Sequence, residues 1–253
     1  MYYQLYIGGI NAVEATLDVK MSKKEDRYRL FMDAHTRGFL GKLVPWNGSF
    51  ETYGWTLTSD TDKPEQHESI SVWRKEREVK TYSYNKDGSF ENYKITEDGV
   101  DKTYKQPDDE LVQGTIDAMT AALDVMRAVG EKQSCEGSSE VFDGKRRFKL
   151  VFSHDADEEL KQTDYNVYSG ITARCIVEVQ PMAGSWHKKP RGWLSIQEQG
   201  RAKGTLPTIW LASLEEGKPA VPVKLRIKTD YGTLFMHMTK YQSGDRIIST
   251  KSK

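Results

Sequence analysis

Two stretches concentrate cations closely enough to grip an oxyanion: Lys145-Arg146-Arg147-Phe148-Lys149 and His187-Lys188-Lys189-Pro190-Arg191. A guanidinium is a planar fork of N–H donors that fits a phosphate or a carboxylate, so a phosphate or sugar acid is the chemistry these runs suggest. In an extended strand Arg147 and Lys149 share one face, and Arg146, Phe148 and Leu150 share the other. If Phe148 faces the core, Arg146 must be ion-paired there or sit near a mouth. Arg146 therefore has two readings, an anion-binding residue or one half of a structural ion pair, and the ion pair is the simpler.

Catalytic signatures are absent. A serine hydrolase needs Gly-x-Ser-x-Gly between a strand and a helix, and Asn47-Gly48-Ser49 reads as a turn instead. His35, His67, His154, His187 and His237 are scattered without metal-ligand spacing. Asp155, Asp157, Glu158 and Glu159 follow His154 and read as a solvated loop. With no glycine-rich phosphate loop and no dinucleotide fingerprint, no cofactor is expected. No catalytic residue and no metal ligand is assigned. Lys plus Arg number 37 and Asp plus Glu 37, so the chain lacks the basic excess of a nucleic-acid binder.

Tryptophan supplies the other candidate chemistry. Trp46, Trp55, Trp73, Trp186 and Trp210 each present a large apolar face with one N–H handle. Together with Arg146 they are the candidate ligand-lining residues. The competing reading is that they only fill the core.

The elements that must position these side chains are mostly strands. Ala15, Leu17, Val19 and Met21 alternate with polar residues, as do Tyr28, Leu30 and Met32. Similar runs recur through Phe50–Leu57, Ile70–Trp73, Arg147–Phe152, Arg174–Val179, Thr208–Ala212, Val221–Thr229 and Leu234–Tyr241. Gly-containing turns separate them, among them Asn47-Gly48, Asp87-Gly88 and Asp143-Gly144. Asp143-Gly144 is expected to be the two-residue type I′ turn of a hairpin. One segment breaks the pattern. In residues 114–130, Ile116, Met119, Leu123 and Met126 recur at helical spacing, with Thr115 or Asp117 able to cap the start and Gly130 the end. The chain reads as a single β domain over 1–253 with one amphipathic helix at about 115–130, a long basic loop at about 187–205 and a frayed tail after 241. A helix lying across the concave face of a curved sheet would cover its Met-rich stripe and still leave a groove.

Compartment follows from sparser signals. No apolar run approaches a membrane span, so no transmembrane segment is expected. The chain opens directly on a strand-like run, Tyr2-Tyr3-Gln4-Leu5-Tyr6-Ile7, which reads as a cytosolic protein or as a mature form whose signal peptide has been removed. Cys135 and Cys175 form no C-x-x-C pair and have no histidine at ligand spacing. They read equally as two buried thiols or as a disulfide, which would persist only in an oxidising compartment.

Several blocks, in order, carry a resemblance over nearly the whole chain: "LVPWNGSFETYG" (43–54), "GTIDAMTAAL" (114–123), "CEG" and "VFDGKRRFKL" (135–150), "YSGITARC" (168–175), "PMAGSW" (181–186), "LPTIWLA" (206–212) and "VPVKLRIKTDYGTL" (221–234). In these the chain resembles the proteobacterial family catalogued as domain of unknown function 3108. The resemblance implies export to the periplasm, a Cys135–Cys175 disulfide and a removed leader. It supplies no activity and no catalytic residue. It implies a mainly β fold, a strongly curved antiparallel sheet of β-spiral or incomplete-barrel type, similar to lipoprotein carriers, with one inserted helix. The expected function is a non-enzymatic periplasmic cell-envelope protein that binds an apolar or amphiphilic ligand, an envelope lipid, or a periplasmic protein partner in a concave β surface. The alternative is an enzyme acting on an envelope polymer or glycan, with a carboxylate from 155–159 or a histidine as acid–base.

Overall fold

The computed structural model describes residues 1–56, 62–132, 134–186, 193–230 and 232–249. The first half of the chain is an antiparallel meander: β1 (Tyr2–Ile7), β2 (Ile10–Ser22), β3 (Arg27–Thr36), a short α1 (Gly38–Leu43), β4 (Trp46–Thr56), β5 (Asp62–Trp73), β6 (Glu76–Tyr84), β7 (Phe90–Glu97) and β8 (Val100–Asp101). Two helices follow, α2 (Asp109–Val112) and α3 (Ala118–Lys132). The second half holds β9 (Gly137–Phe142), β10 (Arg146–Leu160), β11 (Gly170–Gly184), α4 (Trp193–Ala202), β12 (Thr208–Ala212), β13 (Val221–Thr229), β14 (Gly232–Ser243) and β15 (Arg246–Ser249).

All fifteen strands form one antiparallel sheet, in the order β8-β7-β6-β5-β4-β3-β2-β1-β14-β13-β12-β11-β10-β9, with β15 added to β14. The halves join where β1 pairs with β14. The sheet does not close into a barrel, because its end strands share no ladder. Strand β9 instead packs by side chains on β6 and β7. Phe142 of β9 lies 5.5 Å from Tyr82 of β6 and 6.1 Å from Tyr93 of β7, ring centre to ring centre.

The expected mid-chain helix lies between strands of the two halves, inside the curve. Asp117 caps it, accepting the Met119 and Thr120 amides at 2.9 and 3.1 Å. Leu123, Met126 and Val129 are buried, and the apolar stripe packs on β9–β12 on one side and on Tyr28 and Leu30 of β3 on the other. Gly130 does not end the helix, which continues to Lys132. Its missing side chain serves close packing: a Cβ there would stand 2.6 Å from the Lys218 carbonyl. The helix thus occupies the interior of the curve, with cavities of about 830 and 480 Å³ left beside its C-terminal half.

Other expectations need correcting. The described chain has four helices rather than one. The expected basic loop at 187–205 contains α4; residues 187–192 lie outside the described residues. What anchors α4 is polar. Buried Gln197 accepts from the Val179 amide at 2.7 Å and donates to the Val179 carbonyl at 3.0 Å, completing β11 beyond the reach of β12. Nor is the tail frayed through 249, since residues 240–243 pair with 246–249. The Asp143-Gly144 turn is not type I′. Phe142 pairs with Arg147, so the connection is longer than two residues, and positive φ occurs at Gly144 (91°) but not at Asp143. The Asp143 carboxylate sets this turn by accepting the Lys145 and Arg146 amides at 3.0 and 2.8 Å.

Cys135 and Cys175 are disulfide-bonded, with Cα atoms 6.0 Å apart and both residues fully buried. The bond ties the α3–β9 connection to β11.

Candidate functional site

Strand alternation on β10 puts Arg146, Phe148 and Leu150 on the concave face, and register sets Leu150 against Val179 and Phe152 against Val177. Ala121 and Val125 of α3 pack into the same cluster as Phe148, Leu150, Val177 and Val179, and Ala118 of its first turn borders what they leave open. The uncovered remainder is a pocket of about 300 Å³ lined by Ala118, Phe148, Leu150, Val177, Val179, Trp186 and Leu194, with Arg146 and Asp143 at its edge. Phe148, Leu150, Val177 and Val179 are each 8 or 9% exposed, which fits a wall open on one side.

The edge is built with care for direction. Arg146 Nε and Nη2 donate to Asp143 Oδ2 at 2.8 and 2.5 Å, and the guanidinium lies 4.7 Å from the centre of the Trp186 ring. Trp186 is itself held, donating from Nε1 to the Ala183 carbonyl at 2.9 Å and meeting Phe148 edge-on at 6.3 Å. Arg146 is thus one half of an ion pair with Asp143, and it also lines the pocket. Nη1 makes no hydrogen bond to a described residue. The arrangement can hold an apolar chain against the sheet and an anionic group at the guanidinium.

The structure brings Arg146 and Trp186 together and scatters the other candidates. Trp46 and Trp73 are cross-strand partners at the far end of β4–β5; Trp46 donates to Ser71 Oγ at 3.0 Å, and Trp73 is 46% exposed. Trp55 lies under Arg27, 5.3 Å from its guanidinium carbon, on the face opposite Thr52. Trp210 is in the core, 1% exposed beneath Leu160 and Val167, and offers no face to a ligand. His187 and its basic neighbours through Arg191 lie outside the described residues.

Two buried polar groups escaped the sequence reading. In the first, Asp117 accepts Thr52 Oγ1 at 2.9 Å and Thr120 Oγ1 at 2.5 Å, beside His67 Nδ1 at 3.3 Å; Tyr28 and Thr120 share a further hydrogen bond of 2.7 Å. Burial raises the Asp117 carboxyl, but His67 and these hydroxyls outweigh it and hold it below the ordinary carboxylate value. In the second, Arg127 Nη1 donates to Asp62 Oδ1 at 2.8 Å. Burial, reinforced by the Asp62 charge, pushes Asp124 up to about 7. Asp117-x-x-Thr120 before an apolar run was a legible capping signal. Nothing local marks Thr52, His67 or Asp62 as its neighbours. Arg127 of the second group also lines a cavity of about 480 Å³ with Ser22, Lys23 and Thr56, and among the described residues no cluster could hold a metal ion. The acidic run is also occupied: Asp155 and Glu158 bind Arg174 at 2.6 and 2.7 Å on strand β10, not on a loop.

Fold and site define a class, an open antiparallel sheet that packs around its own helix, with an apolar pocket beside an arginine on the concave face. The chain matches the protein family of unknown function DUF3108 over residues 2–239, and belongs to that family. No curated protein and no solved structure matches it. Among the described residues no helix is long and apolar enough to cross a membrane.

Proposed function

We propose that this is a non-enzymatic periplasmic protein of the cell envelope that binds an anionic amphiphile, its apolar part against Phe148, Leu150, Val177 and Val179 and its head at Arg146. The observation that carries this is the meeting of Arg146 and Trp186 over an apolar pocket of about 300 Å³, at the lower end of the usual range for small-molecule sites of about 300–1,000 Å³. The buried disulfide supports an oxidising compartment. Two larger cavities beside α3, about 830 and 480 Å³, are lined in part by charged residues such as Lys23 and Lys218, so the more apolar edge pocket is the one assigned to the amphiphile. The enzyme alternative finds its best group in Asp124, which belongs to a buried cluster with Asp62 and Arg127 rather than to this pocket.

Calorimetric titration with dodecanoate tests the reading. Saturable binding is expected, weakened about 10–100-fold in Arg146→Gln, because hydrogen bonds to charged groups contribute about 1.5–3 kcal/mol. Binding of dodecanol should be unchanged by that substitution. Absence of saturable dodecanoate binding to the wild type sinks the proposal.

A further inference from the structure

We propose that the outer face of the second half of the sheet carries an oxyanion site, for a phosphate- or sulfate-type group, in the cavity where α4 meets β12 and β13. The cavity, about 380 Å³, is lined by Arg226, Arg201, Thr205, Thr208 and Asp155, with Ile176 beneath. Ile176 and its neighbour Val177 alternate on β11, and Val177 lines the Arg146 pocket, so the two sites lie on opposite faces of the sheet.

Charge and register build the site. Along β13, Lys224, Arg226 and Lys228 point to one face while Ile227 is buried on the other. Arg226 is set opposite Thr208, and Lys224 opposite Trp210. Among the described residues no carboxylate lies within ion-pair distance of these three cations. Arg226 Nη2 reaches only Thr208 Oγ1, at 3.4 Å, and its guanidinium flanks the Trp210 ring at 5.4 Å. A guanidinium left without a carboxylate, on a sheet where most arginines have one, is available to a ligand.

A second observation points the same way. Thr205 Oγ1 is buried at the cavity and has no hydrogen-bond partner. A buried hydroxyl without a partner is costly, and a bound oxyanion would accept its proton. The other charges do not cancel the site. Asp155 is engaged by Arg174 Nε at 2.6 Å, and Arg201 is oriented by Glu178 at 2.5 Å. Thr208 Oγ1 already donates to the Leu206 carbonyl at 2.9 Å and so serves to place Arg226; a tetrahedral oxyanion has enough acceptor oxygens to meet Arg226, Arg201 and the Thr205 hydroxyl at once.

Inorganic phosphate is the probe, followed by amide chemical shifts of the whole protein at constant ionic strength. Saturable shifts at Thr205, Thr208 and Arg226 are expected, with affinity at least about tenfold weaker in Arg226→Gln and unchanged in Arg146→Gln. Dodecanoate binding should be untouched by Arg226→Gln, so the two proposals fail separately. Thr205→Val keeps every charge and should also weaken phosphate; it decides the matter if Arg226→Gln does not fold. Glycerol 1-phosphate separates the sources: equal affinity means a free ion, tighter binding means a group carried on a larger envelope molecule. No saturable shift, the same shifts with chloride, or full affinity in both variants overturns the site.

Discussion

Asp117 and Asp124 stand two turns apart on the same helix, one at its cap and one at its middle, and their carboxyls are driven in opposite directions. Both are taken out of water by the sheet that wraps α3. Asp117 meets His67, two threonine hydroxyls and two backbone amides. Asp124 feels the Asp62 charge, is only partly relieved by the Asp62 amide and Arg127, and its Oδ1 has no hydrogen-bond partner among the described residues. Burial is common to the two; the partners decide the sign. One end of the helix is pinned by a charge that is fully used, and its middle carries a charge that the fold would rather see protonated.

The largest effect should come from breaking the satisfied end. Asp117→Ala leaves Thr52, Thr120, two amides and His67 facing a void, and removing one partner of a buried charged network costs about 3–5 kcal/mol. Chemical denaturation measures it. A loss below about 1 kcal/mol would mean that water or a rearranged His67 replaces the carboxylate, and the contrast between the two aspartates would lose its meaning.

The far end of the helix is secured covalently. Cys135 follows α3 and is bonded to Cys175 on β11, across a sequence separation of 40. Closing a loop of that size is worth about 4 kcal/mol in the chain-entropy account, and removal of native disulfides costs about 2–5 kcal/mol. Cys175→Ser, or reduction, should lower the melting temperature clearly while leaving the Asp117 cap intact. Two free thiols in denatured protein taken from an oxidising compartment would contradict the bond.

These regions differ in how far the sequence discloses them. The face that Arg146 shares with Phe148 is a local property of a strand, and so was the need for a partner or a mouth. The cap at Asp117 was equally local. His67, Thr52 and Asp62 come to α3 from strands far away in sequence, and no spacing announces them. Trp210 and Trp73 look alike along the chain; the segment carrying Leu160 and Val167 buries one, and nothing covers the other. Helix α4 was hidden because its anchor is a glutamine. Gln197 is buried by completing β11, a tertiary reason that hydropathy cannot register. The Asp143 turn departed from type I′ because the side chain, rather than a left-handed backbone at Asp143, supplies its closing bonds.

The unsatisfied carboxyl yields the subtlest test, a pH profile. Asp124 rises from an ordinary 3.8 to about 7 on folding, by burial first and then by the Asp62 charge. A folded value above the unfolded one means the native state binds the proton more tightly. Its contribution is therefore complete below about pH 4 and is lost as pH rises towards and through 7. Asp117 does the reverse, since its folded value is lowered: its contribution is present above the unfolded value and is lost as pH falls through the folded one. Of these two carboxyls only Asp124 changes between pH 5 and 8; His237 and the N-terminal amine, both lowered by burial, add a background that Asp124→Asn leaves in place. Asp124→Asn should flatten the stability profile over that window and raise stability at pH 8 by about 1–2 kcal/mol, the full shift being discounted for partial exposure and the nearby Arg127. The same substitution should leave the acid limb, below pH 4, where Asp117 acts. An unchanged slope between pH 5 and 8 would show that Arg127 and the Asp62 amide already relieve the carboxyl, and that the two aspartates are alike after all.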